Sequence, residues 1–258
     1  MAEYRSAGER AYCLRSRGLW EAAALAEDAG LRDSASEAFR DRLKGGWKPL
    51  VASSPIMPPR LRSSLGHSCP PVLWLRGSAM RLRQPGVGIV GSRTLSVDEA
   101  RFASDAGALL ARIGATVFSG GAAGSDSFGV AGTVRAGGYG VHYLPGGEPR
   151  RSPEGCLLSR FPEAPEFDRI EALIRNRWIY ASSDAVILVS SRFGQGGSWA
   201  GAIAARRSRV SPIIVFRGKH PSSGNEALAK LGATSVSSID ELEEALRPCL
   251  ARPLELAV

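Results

Sequence analysis

Ala115-Thr116-Val117-Phe118-Ser119-Gly120-Gly121-Ala122-Ala123-Gly124-Ser125-Asp126 is the most informative segment of this sequence. Its four leading residues predict a buried strand, its glycines a tight turn, and the residues after Asp126 a helix. A strand that runs through glycines into a helix is typical of a parallel sheet with an anion cradle. The reason is that glycine permits positive φ and the first turn of a helix presents unpaired N–H groups. The carboxylate of Asp126 is expected either to cap those N–H groups or to hold a sugar hydroxyl.

Strand and helix patterns alternate around this segment. Val87-Gly88-Ile89-Val90 predicts one strand and Ala185-Val186-Ile187-Leu188-Val189 another, and the second run is continuously apolar, as in a central strand covered on both faces. Ser96-Val97-Asp98-Glu99 and Ser238-Ile239-Asp240-Glu241 have the spacing of capping boxes that open helices. The alternation predicts an α/β fold with a mostly parallel sheet flanked by helices.

We divide the chain into three parts. Residues 1–45 have helical periodicity and are predicted to form a small helical region. Residues 46–71 are rich in proline and serine, which oppose helix and sheet hydrogen bonding, so they are predicted to be a connection. Residues 72–250 are predicted to form the α/β domain that binds nucleic acid or a nucleotide.

Composition narrows the class of partner. The 258 residues carry a formal net charge of +8, and most of the cations are arginine, which favours a polyanionic partner or a strongly charged solvated surface. The four cysteines are far apart in sequence, so neither a disulfide framework nor a zinc site is predicted. The sequence has no signal-peptide pattern and no apolar span, so we expect a cytoplasmic protein that does not contact membranes. We also expect that it needs no cofactor.

Gly91-Ser92-Arg93 follows the strand at residues 87–90. A close-approach glycine, a hydroxyl and a guanidinium at the end of a parallel strand suit a phosphate, although a plain turn can have the same residues. Gly86-x-Gly88-x-x-Gly91 has the letters of a dinucleotide fingerprint. We reject that assignment, because the true motif follows its strand and here the first two glycines precede the strand or lie inside it.

Arg175-Asn176-Arg177 is predicted to lie on a helix. Residues two apart diverge by about 200° around a helix, so both arginines cannot face one ligand. One is expected to bind phosphate and the other to brace an acidic group or a carbonyl. The alternative is a solvated face on which Glu171 pairs with Arg175.

A third glycine-rich turn, Gly194-Gln195-Gly196-Gly197-Ser198, follows the strand at residues 185–189. Bases near this turn and after the next strand are consistent with a groove for a nucleic-acid backbone: Arg192, Arg206, Arg207, Arg209, Arg217 and Lys219. Three aromatic residues nearby have side chains that stack on bases in other proteins, although a core role is the commoner one: Tyr143, Phe193 and Trp199.

Catalytic patterns are scarce. His67, His142 and His220 have no ligand or triad spacing, and no Walker A motif is present. Asp126 is the single acidic candidate in a glycine-rich loop. We therefore predict no catalytic residue, no metal site and no enzymatic activity.

Several motifs in this order resemble the DNA-processing protein A (DprA/Smf) family. They are the lead-in at residues 58–61 and 70–77, Gly88-Ile89-Val90-Gly91-Ser92-Arg93, the turn at residues 119–126, Leu158-Ser159, Arg175-Asn176-Arg177-Trp178-Ile179, Ser183-Asp184-Ala185-Val186 and Gly197-Ser198. The resemblance covers residues from about 58 to about 216. It implies an extended Rossmann-like fold that binds single-stranded DNA, helps to load a RecA-type recombinase during natural transformation, does no chemistry on the DNA and forms a homodimer.

Together, the motifs predict a set of DNA- or phosphate-binding residues, which consists of Gly91, Ser92, Arg93, Ser119, Gly120, Gly121, Gly124, Ser125, Asp126, Arg175, Asn176, Arg177, Gly197, Ser198 and Lys219. The alternative function is a nucleotide-binding sensor or nucleotide hydrolase of related Rossmann-like fold. The phosphoribohydrolase relatives of that fold need a glutamate after their glycine-rich turn, and residues 194–202 contain none, which leaves ligand sensing as the stronger form of the alternative.

Overall fold

The computed structural model describes residues 29–146, 155–162 and 169–251. The chain divides into two compact units, residues 1–48 and residues 49–258. In the first unit the described residues form helix α1 (Ala29–Lys44), which is consistent with the helical pattern predicted there. The helices predicted between residues 7 and 28 lie outside the described residues.

The second unit is organised around a mostly parallel sheet. Within the described residues the sheet has nine strands: β1 (Lys48–Val51), β2 (Val72–Arg76), β3 (Gly86–Val90), β4 (Thr116–Ser119), β5 (Tyr139–Leu144), β6 (Cys156–Ser159), β7 (Ala185–Leu188), β8 (Ile213–Phe216) and β9 (Thr234–Val236). Their order is β1-β2-β6-β5-β4-β3-β7-β8-β9. Seven neighbouring strands run parallel, namely β6, β5, β4, β3, β7, β8 and β9. Strand β2 pairs antiparallel with β6.

This order creates a switch point between β3 and β7. After β3 the chain builds outward through β4, β5 and β6, and later it returns to the other side of β3 and builds outward through β7, β8 and β9. In open α/β sheets the crevice at the carboxyl ends of such strands is where ligands bind. The turns that follow β3 and β7 therefore lie at the expected place for a site.

The helices of this unit cover the sheet. Within the described residues they are α2 (Pro59–Leu65), α3 (Val97–Arg112), α4 (Ser125–Arg135), α5 (Arg169–Ser182), α6 (Gly196–Arg207), α7 (Ser223–Lys230) and α8 (Ile239–Leu250). Ser96 and Glu99 form the predicted capping box of α3. At α8 the box is incomplete: Ser238 accepts from the Glu241 N–H at 3.2 Å, but the Glu241 carboxylate accepts from the N–H of Ser237.

Both faces of the sheet are buried, as the continuous apolar strand pattern predicted. Along β7, Val186 and Leu188 belong to one core cluster, while Ala185 and Ile187 belong to the cluster on the opposite face. Alternate residues of a strand point to opposite faces, so an uninterrupted apolar run is needed when both faces carry helices.

The prediction that residues 46–71 lack helix and strand was wrong for part of this stretch, which contains β1, α2 and a 3₁₀ turn at Gly66–Ser68. Proline opens α2 without penalty, because the first N–H groups of a helix have no partner inside it. Arg60 also joins α2 to the segments that lead into β7 and β8: its side chain donates to the carbonyl oxygens of Ser183 and Val210 and lies 3.3 Å from the Asp184 carboxylate.

Replacing Gly107 with alanine is expected to lower the free energy of unfolding by about 2 kcal/mol, because α3 and α4 touch through their backbones here. A Cβ atom at this position would lie 2.0 Å from the carbonyl oxygen of Gly129 and 2.8 Å from the Thr133 nitrogen, so the helices would have to separate. Urea denaturation measures the loss. Asp105→Ala, at an exposed position of the same helix, is the control and should change the value by less than about 0.5 kcal/mol.

Candidate functional site

A cavity of about 800 Å³ opens where β3 and β7 end. Its walls come from the turns after these two strands and from α5 and the start of α6, and Asp126 of α4 reaches its edge. The predicted site residues that line it are Gly91, Ser92, Arg93, Asp126, Arg175, Asn176, Gly197 and Ser198. Segments more than 100 residues apart in sequence are thus brought to one crevice at the switch point.

Hydrogen bonds join the three glycine-rich turns. The N–H and the hydroxyl of Ser125 both donate to the carbonyl oxygen of Ser92, at 3.1 and 3.2 Å. The Ser198 hydroxyl donates to the carbonyl oxygen of Gly91 at 2.8 Å. Gly124 has a φ of 78° and lies so close to the first turn that a Cβ atom would be 2.3 Å from the Ser92 oxygen. The three turns therefore form one connected surface.

Two N–H groups of the turn after β4 are satisfied within the turn itself. The Asp126 carboxylate accepts from the N–H of Gly120 at 3.0 Å and of Ala122 at 3.2 Å, both in the turn before α4. The prediction that it caps the first N–H groups of the helix was wrong, because no side chain caps the start of α4 and the carboxylate bonds back to its own turn instead. The Ser119 hydroxyl is buried and donates to the Ile89 carbonyl oxygen. These donors are not directed at an external anion. The predicted site residues of this turn that do not line the cavity are Ser119, Gly120, Gly121, Gly124 and Ser125.

Arg175 places a buried positive charge in the wall of the cavity. The side chain belongs to a residue only 6% exposed, and its Nη1 lies 3.9 Å from the Asp126 carboxylate, itself on a residue 5% exposed. Within the described residues its Nε has no hydrogen-bond partner. Arginine stays protonated in proteins, so its positive charge acts on an anion that enters the cavity.

Burial and charge compete at this pair. Burial raises the pKa of the Asp126 carboxyl, whereas the Arg175 guanidinium and the two backbone N–H donors lower it. Burial also lowers the pKa of Arg175; Asp126 opposes this, and the nearby Arg93 adds to it. Two guanidinium groups close enough to repel each other are stabilised by a bound anion.

The two arginines of the Arg175-Asn176-Arg177 motif do point in different directions, as helical spacing requires. Arg177 is exposed and lines a second, smaller cavity of about 230 Å³ instead. Asn176 lines both cavities. Glu171 pairs with Arg160 at 3.5 Å, so the alternative in which it pairs with Arg175 does not occur in the structure.

The predicted set of binding residues lacks several polar residues of the wall, which are Thr94, Tyr180, Ser190, Ser191, Arg192 and Gln195. Tyr180 lines the cavity, and its hydroxyl donates to the Ser198 carbonyl oxygen at 3.2 Å. Burial raises the pKa of this phenol, which keeps it a neutral donor. Its position four residues after Asn176 puts it on the same helix face, and that spacing was the signal that would have found it.

Other candidates lie elsewhere. Lys219 follows β8, is exposed and lines neither of the two cavities. Tyr143 is fully buried, with its hydroxyl 2.6 Å from that of Ser182, so stacking on a base is not possible for it.

Among the described residues, no three His, Cys, Asp or Glu side chains are grouped so that they could hold a metal ion. No described helix has both the length and the apolar character needed to cross a membrane.

Comparison with known proteins places these motifs in one family. The model of the DNA recombination-mediator protein A family matches residues 48–247. A DNA processing protein DprA of Mycobacterium tuberculosis is 30% identical over 196 residues, which make up 69% of this chain and 50% of that protein. The chain therefore spans about half the length of the curated relatives that it matches.

Solved structures share the fold. DNA processing protein A of Streptococcus pneumoniae superposes with a TM-score of 0.71 at 18% identity, over 94% of this chain and 87% of that one. The Helicobacter pylori protein, described for its single-stranded DNA binding mode, gives 0.65 at 22% identity, over 78% and 96%. A molybdenum cofactor binding protein of Rippkaea orientalis gives 0.53 at 19% identity, over 66% and 99%. The prediction of an extended Rossmann-like α/β fold is confirmed.

Proposed function

The chain belongs to the DNA recombination-mediator protein A family, as its motifs predicted, and from this premise we propose that it binds single-stranded DNA in the cavity at the β3–β7 switch point. In this proposal it acts as a recombination mediator and does no chemistry on the DNA. A RecA-type recombinase as partner and a homodimer as the working assembly are parts of the same proposal, and they rest on the family resemblance.

The charge of the cavity is the observation that carries the proposal. Arg93, Arg175 and Arg192 line it, and Asp126 is the one carboxylate among the described lining residues. Asp126 already accepts hydrogen bonds from two backbone N–H groups and lies beside Arg175. Its negative charge is therefore largely compensated inside the protein. The remaining positive charge favours phosphate oxygens, for which arginine has the matching fork of donors. An acid held in this way is also poorly placed to act as a general base, which supports a non-catalytic role.

Replacing Arg93 with alanine is expected to weaken binding of an oligo-dT about tenfold at moderate salt, because one phosphate contact is lost. The slope of log affinity against log salt should become shallower by about 0.7, the value for one phosphate on a single strand. Fluorescence anisotropy at several salt concentrations measures both quantities.

Arg112→Ala is the matched control for this prediction. It removes the same charge from an exposed position in the last turn of α3, at the opposite edge of the sheet. It should leave the salt slope of the wild-type protein in place. Equal slopes for Arg93→Ala and the wild-type protein would remove Arg93 from the site.

Nucleotide sensing is the second candidate, and the size of the cavity favours it. A volume of about 800 Å³ lies within the range of about 300–1,000 Å³ that is usual for small-molecule sites. Parallel titrations with labelled oligo-dT and with a panel of mononucleotides separate the two functions. Tight mononucleotide binding without oligonucleotide binding would replace DNA binding as the proposed function.

A further inference from the structure

Phe193 is a large apolar side chain displayed at the rim of the cavity. The residue is 62% exposed and sits in a tight turn that is closed by a bridge between Arg192 and Gln195. Those two neighbours line the cavity, whereas Phe193 does not. Its ring therefore lies just outside the place where we propose that phosphates bind.

One contact restrains the backbone of Phe193 and another restrains its ring. The backbone N–H of Phe193 donates to the Ser223 hydroxyl at 3.1 Å. The ring meets that of Trp199 edge-on, with centroids 5.0 Å apart and an interplanar angle of 63°. An aromatic ring with a fixed orientation and most of its surface in water is prepared for stacking, because little conformational freedom remains to be lost on binding.

The next basic loop lies beside this turn. The loop after β7 is joined to the start of α7, since the Ser191 N–H donates to the Ser222 hydroxyl and the Gly224 N–H to the Ser191 oxygen. The segment between β8 and α7, which contains exposed Arg217 and Lys219, is therefore a neighbour of the Phe193 turn. Glu226, in the first turn of α7, is the acidic residue on this side.

We propose that Phe193, supported by Trp199, is a base-stacking platform that leads single-stranded DNA from the cavity toward Lys219. The inference rests on the proposed DNA binding and deepens it, because it adds a site for a base to sites for phosphates. It also gives Lys219 a place on the path of the strand although it lines neither cavity. Every base has a π face, so the platform accepts all four bases.

The test compares the binding of Phe193→Ala, Phe193→Trp and the wild-type protein to two labelled strands. One strand is dT12, and the other is a strand of the same length that carries abasic sites. Phe193→Ala should bind dT12 roughly tenfold more weakly, since one stacked base is lost, and should keep the wild-type salt slope. Phe193→Trp should bind at least as well as the wild type. On the abasic strand all three proteins should bind alike, since stacking needs a base.

Leu231→Ala is the matched control, because it truncates an exposed apolar side chain at the far end of α7 and should bind dT12 as the wild type does. Wild-type affinity of Phe193→Ala for dT12 would overturn the platform and leave the proposed function in place. An equal loss on the abasic strand would also overturn it, since the ring would then act on the fold of the turn. Absence of dT12 binding by the wild-type protein would overturn the proposed function itself.

Discussion

Replacing Asp126 with alanine is expected to lower the free energy of unfolding by about 3–5 kcal/mol, the usual cost of removing one partner from a buried ion pair. The change would leave the guanidinium of Arg175 buried without its counter-charge. It would also strip the N–H groups of Gly120 and Ala122 of the acceptor that they share. Urea denaturation followed by circular dichroism measures the loss.

Two further variants separate charge from packing at this position. Asp126→Asn keeps an oxygen acceptor of nearly the same shape and should lose less stability than the alanine variant. Asp126→Ala combined with Arg175→Met removes both charges, and it should be more stable than Asp126→Ala alone. A loss below about 1 kcal/mol for Asp126→Ala, or a double variant that loses the sum of both single changes, would contradict this account of the pair.

The fold could be predicted because its signals are local. A continuous apolar run such as β7 needs partners on both faces, and the Ser96 and Glu99 spacing fixes the start of α3 whatever packs against it. The proline content of residues 46–71 does not reveal β1 and α2, because proline breaks only the interior of a helix or a strand ladder. The start of a helix accepts proline, and the burial of Leu61 and Leu65 in the core could not be seen from a seven-residue segment.

The place of the site at one edge of the sheet could be predicted from the sequence, whereas the hydrogen-bond partners of its polar groups could be predicted less well. Parallel strands end at one edge, so turns after β3, β4 and β7 had to meet there. Which partner a polar group takes at that edge depends on distances between distant segments. Asp126 turned inward to its own loop and to Arg175, and Tyr180 joined the wall from the helix that carries Arg175. The Asp126–Arg175 pair and the Tyr180–Ser198 hydrogen bond join different elements, and the sequence pattern does not encode the distance between them.

Replacing Gly124 with alanine is expected to lower the free energy of unfolding by about 3–4 kcal/mol, because two costs add at this residue. Its backbone has a φ of 78° and a ψ of −126°, a conformation that side chains avoid. A Cβ atom would also lie 2.3 Å from the Ser92 oxygen and 2.6 Å from the Arg93 carbonyl carbon. Since both contacts are with backbone, no rotamer change relieves them, and the first turn must move.

Gly114→Ala separates the two costs, because Gly114 has a φ of 74° but open space where the Cβ would be. It should lose only about 1–2 kcal/mol and leave oligo-dT binding unchanged. Gly124→Ala, measured at a temperature at which it is still folded, should bind at least tenfold more weakly, because displacing the turn carries Arg93 away from Arg175. A loss of affinity in Gly124→Ala would come from the position of Arg93 and not from lost charge, since every guanidinium group is still present. Equal stability of the two variants, or wild-type affinity of Gly124→Ala, would mean that contact between the turns does not shape the cavity.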